Sequence, residues 1–190
     1  MTSTADLRNA PRFDRTAAAI LDAAAHVFSE QGTGANLAAV AAAAGVSRAT
    51  LYRYYPNREA LLEALAAHAL SQASKRLADA GLERATVEEA IERIARALVA
   101  VGDRYAVLVG EQVKCDEADA ERLVGAPMRA VFQQGIESGL LRQDLPAEVL
   151  LQLFAGTIMA AIKLTQHHQL GHEEASAAAA AVFLNGARAR

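Results

Sequence analysis

Apolar residues recur along this chain at helical spacing, in stretches broken by Gly, Pro and Asn. From about Arg15 to Gln31 the stripe is Ile20, Leu21, Ala24, Val27 and Phe28, and Gly32-Thr33-Gly34 ends it. Leu37, Val40, Ala41 and Ala44 form the next stripe, at i, i+3, i+4 and i+7. After Gly45, Leu51 and Tyr55 lie four residues apart, which turns both to one side of a short helix. Pro56-Asn57 then opens a long helix over about 58–80, carrying Leu61, Leu62, Leu65, Leu70 and Leu77. Gly81 interrupts the pattern, and Thr86-Val87-Glu88-Glu89 reads as a capping box ahead of Ile91, Ile94, Ala95, Leu98 and Val101. Residues 102–110 are less regular, and Asp116 to Asp119 is an acidic stretch suited to a solvated loop or a helix start. Three further helices are predicted over about 127–138, 146–168 and 173–189. The fold class is therefore all-α, with about nine helices.

The stretch 37–58 carries the chemistry. Two short helices meet at Ala44-Gly45-Val46-Ser47: Asn36 can cap the first, Gly45 suits a left-handed helix end, Val46 can plug the angle, and Ser47 can cap the second. This is the layout of a helix-turn-helix, whose second helix is shaped to enter a DNA major groove. With Leu51 and Tyr55 inward, the outer face and leading end hold Arg48, Ala49, Thr50, Tyr52, Arg53 and Tyr54. Arg48 can fork onto a guanine edge, Ala49 allows close approach to a thymine methyl, and Thr50 can hydrogen-bond a base. Tyr52, Arg53, Tyr54 and Arg58 can hold phosphates and set the register. Tyr and Arg on a short helix often form an ordinary solvated face. Here the spacing and caps are complete, and no acidic residue occurs in the 28 positions between Glu30 and Glu59, which favours the DNA reading.

Composition sharpens this picture. Of 190 residues, 46 are Ala and only four are Pro, which supports a helical chain. The net charge of −3 argues against a general polyanion binder, but its distribution is uneven. Residues 1–58 hold six Arg against four acids, a balance of +2, and the remainder holds 13 basic and 18 acidic residues, or −5. A basic head and an acidic body suit DNA at one end and a different partner at the other. The lone cysteine, Cys115, excludes an intrachain disulfide. Residues 1–13 lack an apolar core and read as a loose arm rather than a signal peptide, and the uncharged run Leu153 to Ile162 is too short to span a bilayer. A cytoplasmic location is expected. No Gly-rich phosphate loop, no His-x-x-x-His with a carboxylate and no catalytic triad signature is visible, so an enzyme is not expected.

Over about residues 15–65 the chain resembles the TetR family of bacterial transcriptional regulators. The residues that carry this are Ile20-Leu21-Asp22-Ala23-Ala24, Val27-Phe28-Ser29-Glu30-Gln31-Gly32, Val40-Ala41, Ala44-Gly45-Val46-Ser47, Leu51-Tyr52-Arg53-Tyr54-Tyr55 and Arg58-Glu59-Ala60-Leu61-Leu62. Gly34 stands where an aromatic residue is usual, and Asn36 where Thr or Ser is. The resemblance implies base contacts by Arg48, Ala49 and Thr50, and backbone contacts by Tyr52, Arg53, Tyr54 and Arg58. It also implies an N-terminal DNA-binding domain over 1–57, and a ligand-sensing and dimerisation domain over 58–190 to which the helix from about 58 is the link.

That resemblance further implies a small-ligand pocket in the C-terminal domain; the residues themselves give no expectation of a cofactor or a metal. Leu98, Tyr105, Cys115, Met128, Phe132, Phe154, Ile158 and Met159 are candidates for its wall, although plain core packing is the commoner role for each. Few charges fall on those stripes, which favours an apolar or amphipathic effector. The last two helices are apolar on more sides than one chain can cover, so a homodimer is expected to pair them as a four-helix bundle. Leu150, Leu153, Ile162, Ala177, Ala181 and Leu184 are the candidate interface residues. His167, His168 and His172 are better read as an exposed helix-end cluster than as a metal site, and Cys115 as a plain thiol. The expected function is a ligand-responsive regulator, a repressor released from a near-palindromic operator. The alternative is a helical small-molecule-binding or oligomerisation protein with a non-functional DNA head.

Overall fold

The structure, a computed structural model, describes residues 6–105, 107–110, 113 and 116–189. Its helices are α1 (Asp6–Gln31), α2 (Leu37–Ala43), α3 (Arg48–Tyr54), α4 (Arg58–Asp79), α5 (Val87–Arg104), α6 (Val107–Gly110), α7 (Glu117–Ala120), α8 (Ala126–Glu137), α9 (Ala147–Gln166) and α10 (His172–Ala187). The protein is all-α, as the pattern predicts; strand-type pairing among the described residues is confined to an isolated bridge between Leu141 and Arg188.

The chain forms two compact units, Met1–His68 with Tyr105–Lys114, and Ala69–Arg104 with Cys115–Arg190. The division falls inside α4 rather than before it. Leu61, Leu62, Leu65 and Ala66 of its first turns are buried and count with the N-terminal unit. In that unit the predicted stripe of α1 is buried at Ile20, Ala24, Val27 and Phe28, alongside Val40 and Ala41 of α2 and Leu51 of α3. The first helix also begins earlier than the sequence pattern suggests. The expected loose arm is helical from Asp6, and α1 carries Pro11 in its second turn at the cost of the backbone bond its missing N–H would make.

The C-terminal unit is built on α5, α8, α9 and α10, which pack pairwise around one core. The capping box is present in full: Thr86 N–H donates to Glu89 Oε2 at 3.1 Å, and Glu89 N–H to Thr86 Oγ1 at 3.3 Å. At the core's centre Phe132, Phe154 and Phe183 pack in tilted and edge-on pairs with centroids 5.0–5.5 Å apart. Gly135 lets α8 approach its neighbours closely; a Cβ there would lie 2.6 Å from Leu141 Cδ1 and 2.9 Å from Val87 Cγ1. The chain end is latched beside Leu141: Arg142 N–H donates to the Ala187 carbonyl at 2.8 Å, and Ala189 N–H to that of Leu140 at 3.0 Å.

Two features of this unit depart from the expected pattern. The acidic stretch takes the helix-start alternative, helical from Glu117, but the chain then departs from the pattern by passing through a wide π-type turn at Glu121–Gly125. The acidic Asp116 opens the helix, its carboxylate accepting from Asp119 N–H at 2.9 Å. In addition, α9 is long and apolar enough to cross a membrane by length and composition, which a shorter apolar run had suggested against. Here Leu150, Phe154, Ile158, Ala161 and Ile162 sink one side of it into the core, so it serves as a core helix.

Candidate nucleic-acid interface

The turn between α2 and α3 is closed by local bonds. Asn36 Oδ1 accepts from Ala39 N–H at 2.9 Å and starts α2. Ala44 ends it, and Gly45 follows at φ +65, the left-handed conformation in which glycine is least strained. Val46 N–H then reaches back to the Ala41 carbonyl at 3.0 Å and Gly45 N–H to that of Ala42 at 3.1 Å, the paired bonds of a Schellman end. Ser47 restarts the chain as a helix, its Oγ accepting from Thr50 N–H at 3.1 Å. The orientation of α3 thus follows from four residues, Asn36, Gly45, Val46 and Ser47.

That orientation sorts the side chains as expected. Leu51 is fully buried and Tyr55 nearly so. The Tyr55 hydroxyl donates to the Ala17 carbonyl of α1 at 3.5 Å, and burial, with a smaller push from Tyr54, raises its pKa above the ordinary tyrosine range. It therefore remains a protonated donor at neutral pH. Arg48, Ala49, Tyr52 and Arg53 are exposed, and Thr50 and Tyr54 half-buried. Thr50 Oγ1 lies 2.9 Å from Ser47 Oγ, so the cap also orients the threonine hydroxyl. The Arg53 guanidinium stands over the Tyr54 ring, 5.5 Å from its centroid, which leaves its charge at the surface on a fixed aromatic support. The result is a small cationic and hydroxylic face on a helix with no acid of its own.

Arg58 is placed differently from the other candidates. Its Nη1 donates to the Ala35 carbonyl at 2.6 Å, and its guanidinium lies 4.9 Å from the centroid of the buried Phe28 ring. The residue thus ties the start of α4 to α1 and to the entry of α2. Sequence spacing gives no sign of this, because Phe28, Ala35 and Arg58 share no periodicity. The Tyr55–Ala17 bond is hidden for the same reason.

Residues 20–65 match the model of the family described as bacterial regulatory proteins, tetR family. Over that stretch the chain is similar to the TetR family. It is 43% identical over 94 residues to the HTH-type transcriptional repressor LfrR of Mycolicibacterium smegmatis, a match that spans 47% of either chain, about half the length of that relative. It is 24% identical over 150 residues to the fatty acid metabolism regulator protein of Bacillus subtilis, covering 73% of this chain and 77% of the relative. In three dimensions it is similar to the TetR-like regulator LfrR from Mycobacterium smegmatis in complex with proflavine, with a TM-score of 0.74, 25% identity and coverage of 90% and 96%.

The candidate sensing residues of this chain are only partly brought together. Met128, Phe132, Phe154 and Ile158 share the C-terminal core, with Leu98 and Met159 packed half-buried against it. Phe183, which the helical pattern does not single out, completes the aromatic cluster from α10. Tyr105 belongs to the other unit, buried with its ring 6.1 Å from that of His68, and Cys115 lies outside the described residues. Of the candidate interface residues, Leu153, Ala177 and Ala181 are exposed, whereas Leu150, Ile162 and Leu184 are buried in the chain's own core. The last three sit on the inner stripes of α9 and α10, and the outer stripes carry Val149, Leu164, Ala178 and Val182 instead. His167, His168 and His172 are exposed, and no group of three or more potential metal ligands converges among the described residues.

Proposed function

We propose that this protein is a ligand-responsive, sequence-specific DNA-binding transcriptional regulator, a cytoplasmic repressor that leaves a near-palindromic operator when it binds a small apolar or amphipathic effector. The observation that carries this reading is α3. It is capped by Ser47, anchored by Leu51 and Tyr55, free of acidic residues, and open to solvent at Arg48, Ala49, Tyr52 and Arg53. Arg48 and Ala49 at its leading end, with Thr50, are the base readers; Tyr52, Arg53 and Tyr54 grip phosphates. Two such helices, one from each subunit of a homodimer, would read the two halves of an inverted repeat.

The known relatives support both halves of the reading. One is a transcriptional repressor whose structure has been determined with proflavine, and another regulates fatty acid metabolism. Aromatic and acyl molecules are the class that an apolar C-terminal unit would take. The continuous helix α4 begins in the N-terminal unit and ends in the C-terminal one, so an effector that displaces its second half also biases its first.

The test is a selection of genomic fragments by purified protein, run beside Arg48→Ala at fixed salt. Wild type is expected to enrich a short inverted repeat. The variant should bind it more weakly by about 1–3 kcal/mol and with relaxed preference. Equal affinity and equal preference in the variant would remove Arg48 from the base-reading role.

A further inference from the structure

The last turns of α4 and the middle of α5 carry matching stripes at helical spacing, Arg76, Asp79 and Ala80 on one and Arg93, Arg96 and Ala97 on the other. These six residues line a cavity of about 420 Å³, apart from the three phenylalanines of the core. Its lining holds three guanidinium groups and one carboxylate. Residues 59–190 carry 13 basic and 18 acidic groups, so this excess of cations runs against the composition around it. Arg93 is the fixed member. It is half-buried, and its Nη1 donates to the Ala80 carbonyl at 2.9 Å and to that of Gly81 at 3.2 Å. Both acceptors are neutral, so the Arg93 charge is held in place without being cancelled. Among the described residues neither Arg76 nor Asp79 makes an ion pair. Arg96 pairs with Glu173 of α10 at 2.9 Å, with both side chains exposed, and a pair of that kind is weak enough for a ligand to replace.

We propose that this cavity binds a small hydrophilic phosphate monoester. The inference goes beyond the regulator reading and does not depend on it. Guanidinium forks match phosphate oxygens with two parallel hydrogen bonds each, which an ammonium cannot do. Three of them suit a dianion with three terminal oxygens better than a diester, which carries the same phosphorus chemistry but a single charge. The uncharged part of the lining is only Ala80 and Ala97, which offers no slot for an acyl chain or a ring. A bound ester would bridge Arg76 of α4 to Arg93 and Arg96 of α5, and so add to the tie that Arg93 already makes to the end of α4. Asp79 opposes the anion and keeps the site from closing permanently on it.

Titration of the full chain with glycerol 3-phosphate, followed by phosphorus NMR and by the thermal midpoint, tests this at fixed ionic strength. At about pH 8 the ester is a dianion. It is expected to bind saturably and to raise the midpoint. Dimethyl phosphate, a singly charged stand-in for a nucleic-acid backbone, should bind at least roughly fivefold more weakly, and glycerol not at all. Arg76→Gln and, separately, Arg96→Gln should each weaken the ester roughly five- to tenfold and leave the midpoint of the ligand-free protein unchanged, since both side chains are exposed. Asp79→Asn should tighten it roughly two- to threefold, a gain that a purely structural role for these residues does not produce. Absence of saturable binding, or binding that neither arginine variant weakens, would overturn the site. Loss of binding in Arg48→Ala with retention in Arg76→Gln would overturn it too, by moving the phosphate to α3. Dimethyl phosphate bound as tightly as the ester would overturn the monoester assignment in favour of nucleic-acid phosphates.

Discussion

At the first position of α4, Arg58 combines a charge-assisted hydrogen bond to the Ala35 carbonyl with a cation–π interaction on Phe28. The sequence alone suggests a phosphate contact for it, and the two roles have different consequences. If Arg58 holds a phosphate, Arg58→Ala lowers the salt dependence of DNA binding and leaves the protein's stability unchanged. If it holds Ala35 and Phe28 in place, the same variant destabilises the N-terminal unit, by about 1.5–3 kcal/mol for a hydrogen bond to a charged group. We expect the second result, read as a lowered denaturant midpoint in the absence of DNA. Arg58→Lys should restore only part of it, since an ammonium lacks the planar fork that spans carbonyl and ring. An unchanged midpoint in Arg58→Ala would return Arg58 to the phosphate role. Arg48 and Ser47 are legible in the sequence because caps and leading-end positions obey local rules. Arg58 is not, because its partners come from Phe28 and Ala35, which only the folded unit brings near.

Local rules also decide which elements can be read in advance. Helices with a stop and a start written into adjacent residues, such as α2 and α3 around Gly45 and Ser47, or α5 behind Thr86 and Glu89, fall where the pattern puts them. The passage from Glu117 into α8 does not, because its wide turn answers to tertiary packing and leaves no periodic trace. That turn is braced by Glu121, whose carboxylate accepts from both Nη atoms of Arg129. The Arg129 hydrogen bond holds the Glu121 carboxyl below its ordinary 4.5, against a smaller opposing effect of burial. As pH falls, the unfolded chain therefore takes up this proton before the folded one does. The contribution to stability is complete above the ordinary value and is lost as pH falls through the lowered one. Glu121→Gln should flatten the fall of the thermal midpoint between about pH 5 and pH 3, and added salt should shrink the difference because the pair is exposed. A wild-type acid limb identical to the variant's at low salt would count against the brace. Gly135 tests packing in the same helix. Gly135→Ala drives a methyl into Leu141 and Val87 and should cost about 1–3 kcal/mol, with the added Leu141→Ala costing less than the two changes summed.

For the whole molecule, the outer stripes of α9 and α10 remain to be accounted for. Leu153 and Val182 are 54% and 67% exposed, and between the two helices runs an apolar groove of about 150 Å³ lined by Leu164, Ala178 and Val182 among others. A row of alanines beside large exposed apolar residues lets a second pair of helices approach closely and covers surface that one chain leaves in water. The amphipathic pattern makes the need for a partner legible. It does not reveal the stripe, because α9 is apolar on most sides and only the folded core shows that Leu150 and Ile162 face inward. The double variant Leu153→Arg/Val182→Arg should therefore sediment as a monomer at concentrations where wild type is a dimer. Its thermal midpoint, extrapolated to low concentration, should match that of wild type, since neither residue contributes to the chain's own core. Binding to an inverted repeat should fall by about 100-fold, because each half-site must then be occupied by a separate event, while binding to a single half-site stays unchanged. A variant that still dimerises would move the interface to another face. A wild type that is monomeric while saturating its operator would remove the dimer from the mechanism.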